Sequence, residues 1–310
     1  MIGKLLRDIM PDMAYSLIRE REFRSLGLVG MDDAACADKL SFLDTENFIG
    51  RISSNTVMLL TTEDFFRRIE EEGSYKGGYC LCDKPRLAFF KLHNYLAEKE
   101  GYKREPFPTE IGKNCHIHPS ASIAEKNVRI GNNVTIEEFV VIRENTEIGD
   151  NTILRTGVKV GCPDFEYKKD GDRLMGVTHA GGVIIGHDVE VLANTGINKA
   201  VYPWDNTVVG DDSKIDMLCN ISHGVKIGKE CMVVALSGIG GRTVIGDRCW
   251  IGYGAIVRNG IRIGEDARVN MGAVVSRSVE AGCAVTGNFA IDHDIFMEAL
   301  KKKAGGGNAR

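Results

Sequence analysis

No stretch of this sequence is apolar over the roughly 18 residues that a membrane-spanning helix needs, so no membrane span is expected. The opening Met1-Ile2-Gly3-Lys4-Leu5-Leu6-Arg7-Asp8 meets an acid early and lacks the apolar core of a signal peptide, which points to a cytoplasmic protein. A basic excess is also missing. Lys and Arg number 39 against 43 Asp and Glu, and a net charge of −4 argues against a nucleic-acid partner. Cysteine pairing is absent: nine is an odd number, and Cys80-Leu81-Cys82 has one intervening residue where a zinc knuckle has two. Reduced, buried thiols are expected. Proline is scarce at 7 while glycine reaches 36, a combination that implies many tight turns without disorder and directs attention to repeats.

A repeat is present. An aliphatic residue returns every six positions at Ile111, Ile117 and Ile123. After a slip of one it continues through Ile130, Ile136, Ile142, Ile148, Leu154 and Val160. It resumes at Ile185, Val191 and Ile197, then runs unbroken from Val209 to Val275. Gly often follows the aliphatic position, with Asn or Asp close behind, as in Ile130-Gly131-Asn132 and Ile245-Gly246-Asp247. A period of six fits neither a helix nor an alternating strand. It fits a triangular solenoid with three short strands per coil of about eighteen residues and one inward aliphatic per face. The expected fold is therefore mainly β: a left-handed parallel β-helix with a small α/β module before it and a short helix after it. Gly, Asn and Asp are expected to supply the left-handed backbone at the corners.

Two segments interrupt the coil. Residues 161–183 break the period and must protrude as a loop. Residues 199–204 keep the numerical phase but put Pro203 where an inward aliphatic belongs. Loops on a solenoid are common binding sites. The organisation expected is an α/β domain at 1–109, the β-helix at 110–288 with its protruding loop, and a helix with a flexible tail at 289–310. Helix starts are read at Thr62-Glu63-Asp64 and Asp83-Lys84-Pro85, and strands at 56–60 and 78–82.

Solenoids of this kind are mostly acyltransferases that work as trimers, reacting in the groove between coils. Acyl transfer to an amine needs a base for the attacking nitrogen and donors for the developing oxyanion. Histidine suits the first role at neutral pH. Of seven histidines, His93 and His293 lie in the flanks, His116 and His118 beside the first coil, His179 in the loop and His187 after an Ile-Gly corner. Only His223 has intact coils on both sides. Eighteen residues on stands Gly241, whose amide is a candidate oxyanion donor. Asp216, seven back, is a candidate to orient the imidazole.

The stretch Asp205-Asn206-Thr207-Val208-Val209-Gly210-Asp211-Asp212-Ser213-Lys214-Ile215-Asp216-Met217-Leu218-Cys219-Asn220-Ile221-Ser222-His223-Gly224-Val225-Lys226-Ile227-Gly228 resembles the active-site block of the UDP-3-O-acylglucosamine N-acyltransferase family of lipid A synthesis. Asp83-Lys84-Pro85-Arg86-Leu87-Ala88-Phe89 and Leu40-Ser41-Phe42-Leu43 are similar to that family's nucleotide-binding module. Ile117-His118-Pro119-Ser120-Ala121 is similar to its first coil, Asp164-Phe165-Glu166-Tyr167 to its loop, and Asn194-Thr195-Gly196-Ile197-Asn198 to the strand after it. The resemblance implies His223 as general base, supported by Asp216, with the Gly241 amide as oxyanion donor and Phe42 stacked on uracil. It also implies Phe165, Tyr167, Asn194, Asn198, Lys199 and Asn220 as substrate contacts. The acyl donor would be acyl carrier protein, docked partly through Lys301–Lys303, or coenzyme A. No permanent cofactor and no metal are implied, and the assembly would be a homotrimer. Thr45 and Phe48 stand where the family carries Asn and Tyr, Asn198-Lys199-Ala200 replaces an Asp-Arg-Gly turn, and Gly260 replaces a second histidine.

The leading expectation is acyl transfer to the amine of a nucleotide-linked amino sugar. Beside it stand an acetyl-CoA-dependent sugar N- or O-acetyltransferase, a zinc hydratase needing three imidazoles at one metal, and a non-catalytic trimeric scaffold.

Overall fold

A computed structural model of the chain describes residues 2–31, 35–287, 290 and 292–305. Its centre is a left-handed parallel β-helix whose three walls are parallel sheets of nine, eight and eight short strands. Successive coils stack residues 18 apart, as in the column Lys214, Met232, Trp250 and Arg268. The next residue in each strand points inward. Ile221, Ile239 and Val257 form one inner column and Val209, Ile227 and Ile245 another, all but inaccessible to solvent. Removing each such side chain from water stabilises the coil by about 1.5–3 kcal/mol. Ile111, on the terminal strand of its wall, has no coil beyond it and is half exposed.

The corners are left-handed, but Gly, Asn and Asp do not fill them alone. Leu218, Leu236, Arg242, Arg248 and Glu230 adopt positive φ between 55° and 61°. A left-handed residue of this kind costs about 1–2 kcal/mol, so packing and hydrogen bonding between coils hold these corners. Gly228 shows what the Ile-Gly corners need. A Cβ there would sit 2.3 Å from Asp247 Oδ1, the oxygen that accepts the Lys229 amide at 2.8 Å. The glycine lets the next coil's carboxylate reach in and bond the turn.

Register shows where chain leaves the wall. Val160 pairs with Ile197, 37 residues on, so nineteen residues are excluded from that coil. They carry a hairpin of Tyr167–Asp170 against Arg173–Gly176. Ile197 pairs with Ile221 and Val183 with Thr207, 24 residues on, so a further six leave the coil around 199–204. Six residues are one wall and one corner, which is why the period survives this insertion. Pro203 is not part of the wall. The excursion turns Tyr202 into full burial, stacked on Trp204 at 5.6 Å and 2°.

That excursion joins the coil to the N-terminal module. The module contains helix α1 (Ile2–Ile9), strands β1 (Tyr15–Ile18), β2 (Ser25–Leu26), β3 (Lys39–Leu43) and β4 (Thr56–Thr61), helix α2 (Glu63–Glu72), strand β5 (Gly78–Cys82) and helix α3 (Pro85–Ala97). The sheet order is β1-β5-β4-β3-β2, parallel except for β1. Trp204 Nε1 donates to the Leu26 carbonyl at 2.8 Å, and Asn94 Nδ2 on α3 donates to the Gly176 carbonyl at 2.8 Å. Arg104 donates to the carbonyls of Pro203 and Asp205 at 2.7 and 2.8 Å. Sheet, hairpin and excursion thus pack into one body with the coil. The chain closes with helix α4 (His293–Gly305), at whose start Asp292 accepts the Asp294 amide at 3.0 Å. The flexible end expected at 304–310 lies, from residue 306, outside the described residues.

Because each inner position is shared by two neighbouring coils, Ile227→Ala should cost about 2–5 kcal/mol. Chemical denaturation followed by circular dichroism measures it, and a loss under 1 kcal/mol would contradict the shared-core description.

Candidate active site

His223 stands at a corner, directly after the wall strand Asn220–Ile221. Gly224 follows in the left-handed conformation, its amide donating to Thr207 Oγ1 at 2.9 Å, and the His223 carbonyl accepts the Arg242 amide at 2.9 Å. The stacked neighbour is Gly241, as the eighteen-residue spacing predicts. A Cβ at Gly241 would lie 2.5 Å from His223 Nε2, so only glycine leaves room for the imidazole.

The orienting carboxylate is not Asp216. Asp216 accepts the amides of Met217 and Ala235 at 2.7 and 3.0 Å and serves as a corner clamp between coils. The protruding loop supplies the partner instead: Asp164 Oδ2 accepts both the His223 backbone amide at 2.8 Å and Nδ1–H at 2.7 Å. The other face of the ring meets a second carboxylate, with Glu166 Oε2 at 3.2 Å from Nε2. Spacing within the coil points to Asp216, whereas the true partner is 59 residues away on an excursion. Its one signal in the sequence is a pair of acids flanking Phe165 in a segment that has lost the period.

These contacts set the charges. Burial pulls the His223 pKa down, but the bonds to Asp164 and Glu166 outweigh it and leave the imidazole above its ordinary value. Burial would raise the Asp164 carboxyl, yet the His223 side chain and amide hold it well below the usual range. Glu166 is likewise penalised by burial, but His223, Arg242 and Lys168 bring it down to about 2. Arg242 Nη2 lies 3.7 Å from Glu166 Oε2, and Lys168 Nζ bonds Oε1. A second imidazole comes from the loop rather than from an adjacent coil. The His179 ring centre is 5.6 Å from that of His223, and burial with the neighbouring His223 lowers its pKa to about 4.

His223, Glu166 and Arg242 line one side of a cavity of about 580 Å³ together with Asn220, Gly241 and Asn259. The opposite side belongs to the N-terminal module: Leu28, Phe42, Asp44, Phe48 and Arg86. Phe42 lies 5.0 and 5.8 Å from Phe89 and Phe90, with the Arg86 guanidinium 5.6 Å from its ring centre. Arg86 is held bidentately by Asp44 at 2.8 and 2.9 Å. Phe165 projects into the space, 84% exposed. Of the residues singled out in the sequence, Phe42, Phe165, Asn220, His223 and Gly241 meet here.

The others do not line it. Tyr167 borders an adjacent hollow with Lys84 and Lys169. Asn194 is a left-handed corner residue. Asn198 reaches the site only through its bond to Asn220 at 3.2 Å. Lys199 is partly buried, and desolvation lowers its pKa.

A family described as bacterial transferase hexapeptide (six repeats) matches residues 127–162, 206–241 and 242–277. A UDP-3-O-acylglucosamine N-acyltransferase of Bordetella pertussis is 24% identical over 294 residues, covering 84% of this chain and 79% of the relative. A second protein of that name, from Legionella pneumophila, is 44% identical over 96 residues, 31% of this chain and 27% of the relative. The solved structure of a UDP-N-acetylglucosamine acyltransferase from Bacteroides fragilis is 18% identical with a TM-score of 0.51, covering 67% of this chain and 83% of that one, and shares the coil. The chain thus carries the bacterial transferase hexapeptide repeat and is similar to acyltransferases built on it. The relatives named UDP-3-O-acylglucosamine N-acyltransferase from Bordetella pertussis and Herminiimonas arsenicoxydans align along most of the chain, each at 24% identity.

Gly241→Ala should drive the imidazole off Asp164 and Glu166. A displacement of about 1 Å at a reacting group costs on the order of a hundredfold in rate, while the folded state should persist. Turnover within threefold of the parent, on a correctly folded variant, would contradict the close approach.

Proposed function

We propose that the protein transfers an acyl group from a thioester to the amine of a nucleotide-linked amino sugar, with His223 as general base. The observation that carries this reading is the position of His223. It lies on the coil side of a cavity whose other side is the N-terminal module, and Asp164 accepts Nδ1–H, which leaves Nε2 beside Glu166 and Gly241, two residues of the cavity wall. Asp164 replaces Asp216 as the positioning carboxylate. The names of the relatives supply the amino-sugar acceptor.

In the reaction the acceptor nitrogen attacks the thioester carbonyl while Nε2 takes its proton. The Gly241 amide, stacked on His223, is the proposed oxyanion donor. The carbon–sulfur bond then breaks, and the thiolate recovers the proton from Nε2. Phe42 and Arg86 are the proposed holders of the nucleotide, by stacking and by charge. The thioester is carried by acyl carrier protein or coenzyme A and is a substrate rather than a resident cofactor. Of the proposed docking lysines, Lys301 and Lys302 are exposed on α4.

The functional unit we propose is a homotrimer. Met217, Tyr253 and Met271 fall on one stacking column and are each more than two-fifths exposed, as are the adjacent Leu218 and Leu236. An apolar ladder of this length needs a partner surface.

His223→Ala should lower acyl transfer at least about 10²-fold, measured with acyl carrier protein and coenzyme A thioesters against UDP-linked amino sugars. Unchanged turnover would remove His223 from the chemistry. Tyr253→Lys combined with Met271→Lys should reduce the mass found by analytical ultracentrifugation to that of one chain. An unaltered trimer would exclude this face as the interface.

A further inference from the structure

Nε2 of His223 and Oε2 of Glu166 lie 3.2 Å apart, and both residues line the cavity. One comes from the coil and the other from the protruding hairpin. Resting on the acyl-transfer reading, we propose that this pair is a two-acceptor cradle that selects an amine nucleophile over a hydroxyl, with Glu166 as the specificity-determining residue.

The argument is a count of hydrogen atoms. A primary amine carries two N–H groups and a hydroxyl carries one O–H. An amine nitrogen between Nε2 and Oε2 satisfies both acceptors at once. A hydroxyl satisfies one and leaves a buried carboxylate oxygen facing a ring-nitrogen lone pair, and sites built for a missing donor reject the analogue strongly. Once the proton shared with Nε2 has left, Glu166 has none with which to turn donor. Lys168 occupies Oε1, Arg242 stands 3.7 Å from Oε2, and the side chain is only 12% exposed.

The same geometry sets the first step. With no acceptor between them, Nε2 and Oε2 share a proton, so the imidazole is cationic between Asp164 and Glu166. The base becomes competent when that proton leaves to solvent. The amine then donates one hydrogen to Oε2 and gives the other to Nε2 as its nitrogen bonds the acyl carbon. The carbon–sulfur bond breaks and the thiolate takes the proton from Nε2. An amide and a free thiol result, with no other reactant.

The groups facing His223 are Asp164, Glu166, Arg242 and His179. Its raised pKa means that the uncharged, active form grows as pH rises through that value, which gives an acid limb to kcat/KM. Glu166→Gln removes the charge that stabilises the cation, so this limb should move to lower pH. The direction is opposite to that expected from loss of a base.

Binding of UDP-glucosamine and UDP-glucose, measured by calorimetry at a pH above the acid limb, where Nε2 is unprotonated and the pair presents two acceptors, tests selection without requiring turnover. The parent should bind the amine about ten- to a hundredfold more tightly, the range of a hydrogen bond to a charged group. Glu166→Ala should erase the preference, and Glu166→Gln, which restores an acceptor oxygen, should recover part of it. Equal affinities in the parent, or an equal loss for both sugars in Glu166→Ala, would overturn the proposal. Where the parent acylates neither sugar with either thioester, the acyl-transfer reading fails while the binding comparison still decides the role of Glu166. Where it does acylate, an acid limb that stays in place in Glu166→Gln would overturn the clamp.

Discussion

Everything in this molecule depends on the meeting of one inward side chain with its counterpart in the next coil. A single coil cannot bury its inner face, so stability comes only from stacking. Stacking demands that each wall re-enter at the correct register. An insertion is tolerated only if it leaves the wall completely and returns in phase, as the nineteen residues after Val160 and the six around 199–204 do. The coil is thus rigid where it is regular, and everything variable is pushed outside it. Two excursions accordingly carry what the coil does not: the protruding loop brings Asp164 and Glu166 to His223, and the shorter segment brings Tyr202 and Trp204 to the N-terminal module.

The excursions do more than decorate a rod. Tyr202 and Trp204 form a stacked plug whose indole bonds strand β2, and Arg104 ties the same segment to the entry of the coil. Because the N-terminal sheet is seated this way, Phe42 and Arg86 face His223 across a defined gap. Long-range contact, not local propensity, sets that gap. A shift of the plug would move the whole module relative to His223.

How much of this the sequence discloses follows the same division. The inner columns are legible because each obeys a rule stated in single residues: Ile227, Ile239 and Ile245 each recur at six. The helix starts at Glu63 and Pro85 and the strand at Gly78–Cys82 are legible for similar reasons. Gly241 beside His223 is legible because stacking converts a spacing into a distance. Asp164 is not, because nothing local ties a loop carboxylate to a corner 59 residues on. Asp216 has the spacing of a partner but spends both oxygens on backbone amides. Leucines at Leu218 and Leu236 in left-handed corners are also unreadable from propensity, since neighbouring coils and not the residue choose that conformation.

The hairpin is attached by two crossings of the coil wall and contributes no side chain to the inner columns. Residues that surround the His223 ring can therefore change with little effect on the folding of the solenoid. The histidine stands on the scaffold itself; its electrostatic surroundings are supplied by a separate part. Remodelling that one appendage would recast the surroundings of the imidazole on an unaltered frame.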